Sequence, residues 1–193
     1  MARAPLSAVD IEPAAPLAGS GVSALSWAAV VGGTVTAIAV TLTLLALGSA
    51  FGLATISPWP GLGAKPTSFT IGAGIWLVVT QWLSAGLGGY IAGRLRVRWT
   101  GLHTDEVFFR DTAHGFLTWA TATVIMAGVS VFAVAMTSAA APPVDVNASK
   151  EAIDAARKVT ATFAGFTGLS LVIGAFIGSV CGAIGGRLRD LHD

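Results

Sequence analysis

Charged residues are scarce in this sequence: they make up 11% of its 193 residues, against roughly 25% in ordinary soluble domains. Hydrophobic residues make up 54%, and the mean hydropathy is +0.76. The formal net charge is +1, so no basic excess points to nucleic acid as a partner. The deficit in charge, combined with long apolar runs, predicts an all-α integral membrane protein.

Residues that could carry chemistry are also few. The lone cysteine, Cys181, excludes an internal disulfide and a Cys-cluster metal site. The centres of the apolar runs lack Asp, Glu, Lys, Arg and His, which counts against an ion-coupled transporter or a proton relay. No P-loop, dinucleotide-binding or Ser-His-Asp pattern is present. We therefore expect no enzymatic activity, no catalytic residue, no metal and no cofactor.

Four apolar runs are each long enough to cross a bilayer, which takes about 20 residues. The predicted helices cover approximately residues 26–56, 69–95, 114–136 and 159–188. Around them, the sequence predicts five regions: a flexible tail 1–22, a first transmembrane hairpin 23–98, a polar connector 99–113, a second hairpin 114–189 with an outer loop 138–158, and a C-terminus 190–193.

The polar residues before the fourth run leave one question open. Ser149 could cap a short helix with Glu151 in its first turn. If residues 150–186 form one continuous helix, it is about 55 Å long and exceeds the roughly 30 Å hydrocarbon core. Its first turns would then project from the membrane or bend along its surface.

The distribution of Lys and Arg predicts the orientation. Seven of the 11 lie in the tail, the connector or the inner helix ends, and four lie in the outer loops. Because positive residues favour the cytoplasm, both termini and the connector 99–113 should be cytoplasmic, and the loop 138–158 should be periplasmic. The first 22 residues lack the apolar run of a signal peptide, so we expect no cleavage there.

Tryptophans fall near the ends of the predicted spans. Trp27, Trp99 and Trp119 lie at the predicted inner boundary and Trp59 at the outer one. Tryptophan is enriched at membrane–water interfaces. All four are therefore interpreted as interfacial anchors.

Small residues recur every fourth position in the fourth run. Residues four apart share one helix face, and small faces allow helices in lipid to approach closely. We therefore predict close helix contacts, of the kind called a glycine zipper, at these positions: Gly33 and Ala37; Ala85, Gly89 and Gly93; Ser170, Gly174, Gly178, Gly182 and Gly186. The line in the fourth helix should pack against the second helix through Ala85 and Gly89, or against the first through Gly33.

Two groups of polar residues could do more than pack. Gln81 lies deep in a span, on the same line as Ala85, and could contact a solute or make an interhelical hydrogen bond; we favour the hydrogen bond. In the connector, Asp111 and His114 are three apart and could share a helix face. A metal site there is conceivable, but a solvated cytoplasmic loop is the favoured interpretation.

The two hairpins resemble each other. Gly89-Tyr-Ile-Ala-Gly-Arg-Leu-Arg96 matches Gly182-Ala-Ile-Gly-Gly-Arg-Leu-Arg189 at an offset of 93 residues. Each copy would cross the membrane twice, so the copies would share one orientation and be related by an axis along the membrane normal. The predicted fold is therefore four transmembrane helices arranged as two tandem, parallel-related helical hairpins.

Three segments carry a resemblance to a known family: Ser26-Trp-Ala-Ala29, Gly72-Ala-Gly-Ile-Trp76 and Gly88-Gly-Tyr-Ile-Ala-Gly-Arg94. Together they resemble a family of small bacterial inner-membrane proteins sometimes labelled PhnA-like. The resemblance covers mainly residues 26–96. It implies a four-helix protein of the bacterial inner membrane, and it implies no catalytic residue and no substrate.

Two functions remain. The first is a structural or interaction protein that self-associates or serves as an accessory subunit of a larger membrane complex through its small-residue faces. The second is a passive channel or permease for a neutral solute, formed in an oligomer. The expected partners are the lipid bilayer and either further copies of the chain or other membrane proteins. The lack of charge within the spans favours the first function.

Overall fold

The computed structural model describes residues 23–57, 63–99, 101–139 and 149–191. The predicted tail 1–22, Trp59 and part of the predicted outer loop 138–158 lie outside these residues. Four α-helices run through the described ranges: α1 (Trp27–Thr55), α2 (Pro66–Leu95), α3 (Thr104–Ala139) and α4 (Lys150–Asp190). Each is long and apolar enough to cross a membrane, which confirms an all-helical chain with four candidate spans.

The start of α2 lies three residues before the predicted one. Pro66 occupies the beginning of the helix. Proline is favoured there because its missing N–H is not needed and its fixed φ suits a helix. The prediction treated this proline as part of the loop and was therefore too short.

The start of α3 lies ten residues before the predicted one, so the prediction of a loop over residues 104–113 was wrong. Asp105 and Glu106 occupy the first turn, where negative charge is favourable near the helix N-terminus. Glu106 also accepts a hydrogen bond from Arg110 one turn later, at 2.7 Å. Polarity was interpreted as a loop signal, whereas here it belongs to the amphipathic first turns of a helix.

The question left open for residues 150–158 is resolved, because α4 is continuous from Lys150. The Ser149 side chain caps it by accepting a hydrogen bond from the backbone N–H of Ala152. With 41 residues, α4 is about 60 Å long at 1.5 Å per residue. Of the two possibilities for residues 150–158, outer loop or capped helix, the structure has the helix, and the length of α4 exceeds a roughly 30 Å hydrocarbon core.

The packing order places α2 and α3 at the centre. Each packs against α1, α4 and the other, while within the described ranges no Cα of α1 lies within 8 Å of a Cα of α4. The helices α2 and α4 run in the same direction. Gly74, early in α2, contacts Phe166 of α4, and Gly93, near the end of α2, contacts Gly182, further along α4. The equivalence of the two hairpins as repeats stays a prediction.

The two ends of the bundle differ in packing. We call the end that carries Arg96 the inner end, after the predicted orientation. Buried residues concentrate in the inner half, for example at residues 29–37 of α1 and 170–186 of α4. By contrast, residues 127–137 of α3 and 150–165 of α4 are exposed on every face. We call these two segments the outer arms.

Candidate functional site

The contact between α2 and α4 is made by bare backbone. A Cβ added at Gly89 would collide with the carbonyl group of Gly178, and one added at Gly93 would collide with that of Gly182. No residue larger than glycine fits at Gly89 or Gly93 without moving a helix. The structure thus brings together the predicted small-residue lines of α2 and α4.

The same face of α4 also packs against α3, which the sequence analysis did not anticipate. Gly178 lies between two carbonyl oxygens: a Cβ there would be 3.3 Å from that of Gly115 and 3.5 Å from that of Ala85. A Cβ at Gly182 would be 2.6 Å from the carbonyl oxygen of Asp111. Gly115 was missed because the prediction placed it at the start of α3 and not within it.

The small residues of α1 meet α2 and α3 and not α4. A Cβ at Gly33 would lie 2.5 Å from the carbonyl oxygen of Gly88 and 2.9 Å from the Thr118 methyl group. A Cβ at Gly88 would lie 2.8 Å from that of Ala37. Packing of the α4 line against Gly33, one of the two predicted arrangements, is therefore wrong. Gly88 faces α1 while its neighbour Gly89 faces α4, so α2 uses two small faces.

The remaining predicted positions of α4, Ser170, Gly174 and Gly186, lie next to polar groups. The Asp111 carboxylate lies directly on Gly186, where a Cβ would collide with it. Ser170 is buried, and its hydroxyl donates to the carbonyl oxygen of Thr167 at 2.9 Å. Gly174 faces two side chains, Gln81 of α2 and Trp119 of α3. Gly174 and Gly186 therefore make room for polar or aromatic side chains, and Gly186 also lies against α2, since a Cβ at Gly93 would be 2.7 Å from its backbone nitrogen.

The tryptophans do not share one role. Trp27 is 60% exposed, as an interfacial anchor would be. Trp119 points between the helices, with its Cβ 3.2 Å from a Cβ added at Gly178. Trp99 is half-buried against the Arg96 guanidinium, 4.5 Å from its ring centre, and against the His114 ring. The structure thus places Trp99 and Trp119 in internal contacts, and Trp59 lies outside the described residues.

An ion cluster joins the inner ends of three helices. Arg96, just after α2, is fully buried and donates to both carboxylate oxygens of Asp111 in α3. It also donates to Asp190 at the end of α4 at 2.7 Å. The Arg189 guanidinium donates a hydrogen bond to the backbone carbonyl oxygen of Arg96. Burial alone would lower the pKa of Arg96, but its hydrogen bonds with Asp111 and Asp190 outweigh burial and raise that pKa above its usual value.

His114 attaches α1 to the same end. It is fully buried, and its Nε2 accepts a hydrogen bond from the backbone N–H of Ser26 at 2.8 Å. Its Nδ1 lies 2.6 Å from the Arg110 carbonyl oxygen. Since Nε2 accepts, Nδ1 carries the proton and donates to Arg110, so His114 is a neutral imidazole here. The interpretation of Asp111 and His114 as residues of a solvated loop was wrong.

A sequence signal for this buried polar end existed. Asp111, His114, Gly115, Thr118 and Ala122 are all buried, and their spacing is that of one helix face.

Across the described ranges, no group of three or more His, Cys, Asp and Glu residues could hold a metal ion. The partners of Asp111 and His114 are instead an arginine, a backbone N–H and a backbone carbonyl. This arrangement fastens helix ends together.

A central cavity lies just beyond the inner half. Its volume is about 340 Å³, and side chains from all four helices line it, including Gln81, Trp119 and Ser170. A larger cleft of about 670 Å³, lined mostly by apolar residues such as Leu45, lies between the outer parts of α1 and α2. The lining of the central cavity reaches Ala37 and Ala85 and then stops, where the bare-backbone contacts of the inner half begin.

Comparison with known proteins gives no relative. No protein-family model, no curated protein and no solved structure matches this chain. The resemblance to PhnA-like proteins therefore stays a prediction. What the chain does has to be inferred from its own geometry.

Proposed function

We propose that the protein is a structural interaction protein of the bacterial inner membrane, which binds further copies of itself or subunits of a larger membrane complex through its outer arms. The observation that carries this proposal is the exposure of residues 127–137 and 150–165 on every face. The inner half needs no partner because its glycines already face one another. The arms receive less support: Ala127, Ser130 and Phe163 line the central cavity, but no residue of either arm is buried.

The unused small residues support the same location. A Cβ at Gly128, Gly165 or Gly168 would meet nothing within 4 Å. Two of these glycines lie in the arms, and Gly168 follows one arm directly. In lipid, glycine on a helix surface is favourable where another helix packs against it. Of the four helical glycines with open space in the described residues, three therefore lie in or beside the outer arms, and the fourth is Gly72 of α2.

The same geometry argues against a passive channel through one chain. The central cavity would be its entrance, but contacts such as Gly33 with Gly88 close the inner half beneath it. A channel would have to run between copies. The proposal assigns the chain no catalytic reaction. It keeps both termini on the cytoplasmic side, as the distribution of Lys and Arg predicts.

Light scattering on protein purified in a mild detergent tests the proposal. Gly128→Leu and Gly165→Leu add side chains where the single chain has open space, so its fold should survive. We expect the mass of the wild-type complex to exceed that of one chain and to fall in these variants. Gly72→Leu is the matched control, since Gly72 of α2 also has open space but lies outside the arms. A wild-type chain that is monomeric and binds no other membrane protein would contradict the proposal.

A further inference from the structure

The central cavity lies within the spans and is lined by polar side chains as well as apolar ones. Among the described residues that line it, none is Asp, Glu, Lys, Arg or His. Several hydroxyls on its wall are already used, because Ser84, Ser130 and Thr167 each donate to a carbonyl oxygen of their own helix. The wall therefore excludes recognition of a charged ligand by an ion pair.

Three of the remaining polar groups are without a hydrogen-bond partner among the described residues, and one of them, the Trp119 indole N–H, can only donate. The Gln81 side-chain amide makes no hydrogen bond to another described residue. Trp119 Nε1 and Thr80 Oγ1 are both buried without a partner among the described residues. Gln81 and Trp119 converge over the bare backbone of Gly174, where a Cβ would lie 2.6 Å from Gln81 Nε2 and 2.8 Å from Trp119 Nε1. Glycine at this position lets both side chains occupy the same corner of the cavity.

Unsatisfied donors in a bilayer are costly, because no bulk water reaches the hydrocarbon region to pair with them. An indole N–H can only donate, so the group that pairs with Trp119 must accept, and the Gln81 amide, which both donates and accepts, can present its NH₂ to the same group. The complementary ligand is therefore a hydrogen-bond acceptor. Since its surroundings are the apolar spans and the cavity is bounded by aliphatic side chains such as Leu45 and Leu77, the ligand should also be neutral and lipid-soluble.

We propose that the central cavity binds a neutral, lipid-soluble molecule through a carbonyl oxygen, which accepts hydrogen bonds from Gln81 and Trp119. A membrane offers this chemistry in two forms, the ring carbonyls of quinones and the ester carbonyls of acylglycerols. Both combine a carbonyl acceptor with an apolar tail. The tail would lie along the aliphatic wall toward the outer arms. This inference does not depend on the arms' role in association.

Binding to the full chain in an alkyl maltoside detergent, which has no carbonyl group, tests the proposal. The probes are a decyl-substituted benzoquinone, dioctanoylglycerol and decylbenzene, which has a similar apolar body without a carbonyl. We expect saturable binding of at least one carbonyl probe and none of decylbenzene. Binding of the quinone alone or of the acylglycerol alone identifies the source. Equal binding of decylbenzene, or no saturable binding of either carbonyl probe, would overturn the proposal.

Two variants test the donors separately from the fold. Trp119→Phe keeps the aromatic ring and removes the N–H, and Gln81→Leu keeps the approximate size and removes the amide. Each should raise the Kd of the carbonyl probe roughly tenfold, as the loss of one hydrogen bond predicts. Trp82→Phe is the matched control, because Trp82 is 53% exposed and does not line the cavity. Unchanged affinity in both test variants would contradict the assignment; if one variant fails to fold, the other and the probe selectivity of the wild type still decide.

Discussion

Arg96 is the residue through which the inner ends of α2, α3 and α4 meet. Its guanidinium pairs with Asp111 and Asp190 and is fully buried. Its raised pKa keeps it charged at any physiological pH. A buried charge that loses its partner is strongly destabilising, because its desolvation is no longer compensated. The stability of the inner end should therefore depend on each carboxylate of the cluster.

Asp111→Asn should lower the free energy of unfolding by about 3 kcal/mol, the lower end of the range for a broken buried pair, since Asp190 still contacts Arg96. Thermal unfolding in detergent measures this loss. Glu106→Gln is the control: it neutralises a carboxylate on the same helix, but its pair with Arg110 is exposed and worth less than 1 kcal/mol. Equal melting temperatures for the two variants would show that the cluster does not fasten the bundle.

The cluster of Arg96, Asp111 and Asp190 could not be predicted from the sequence, for a physical reason. Arg96 and Asp111 are 15 residues apart, Asp190 is 94 residues from Arg96, and all three lie in segments whose polarity is typical of solvent-exposed loops. A sequence shows that a residue is charged, but not which residue of opposite charge will pair with it in a buried site. Gln81, in contrast, could be predicted to face another helix, because an amide within an apolar run has few alternatives. Its neighbour Trp119 could not, since tryptophan near a span end usually marks the membrane interface.

At the scale of the helix, the glycine line of α4 is the element on which α2 and α3 converge. Gly178→Leu would place a side chain between the carbonyl oxygens of Ala85 and Gly115. The helices would have to separate, and overpacking of this kind typically costs about 1–3 kcal/mol. We expect a clear fall in the melting temperature in detergent.

Val172→Leu is the suitable control for that experiment, because Val172 lies on the same helix and is 70% exposed. Ile177 is less suitable: its methyl group would lie 3.4 Å from a Cβ at Gly86 of α2, so it belongs to the packed region. Equal melting temperatures for Gly178→Leu and Val172→Leu would show that the glycine line of α4 is not a close contact with α2 and α3.

Of the elements, α1 and the glycine face of α4 were the most predictable. An uncharged apolar run and a line of glycines at every fourth position each permit few structures in lipid. The beginnings of α3 and α4 were harder to predict from the sequence. Their first turns are polar, and a polar segment forms either a loop or an exposed helix according to caps such as Ser149 and to burial elsewhere. Gly88 was missed because it belongs to a second packed face of α2, for which one face was predicted, and Gly115 because it was placed at the start of α3, for which no packed face was predicted.

For the whole molecule, the predicted orientation rests on the positive residues at the inner end. Reporter fusions at Ala64 and Ala148 should behave as periplasmic, and a fusion at Thr104, now the first residue of α3, as cytoplasmic. A cytoplasmic signal from Ala148 would contradict the four-span arrangement. It would also contradict the placement of the charged start of α4 outside the membrane.

The molecule as a whole divides into a packed inner half and exposed outer arms, and we propose that other membrane helices bind at the arms. Oxidative cross-linking in native membranes tests this most directly, using a Cys181→Ala background with one new cysteine. Val131→Cys lies in an arm and Val172→Cys in the inner half of α4, and both valines are 70% exposed.

Because exposure is equal, only a bound partner distinguishes the two positions. We expect Val131→Cys to give a discrete cross-linked product, with a second copy of the chain or with one other membrane protein, and Val172→Cys to give little or none. No product at Val131, or equal products at both positions, would contradict the claim.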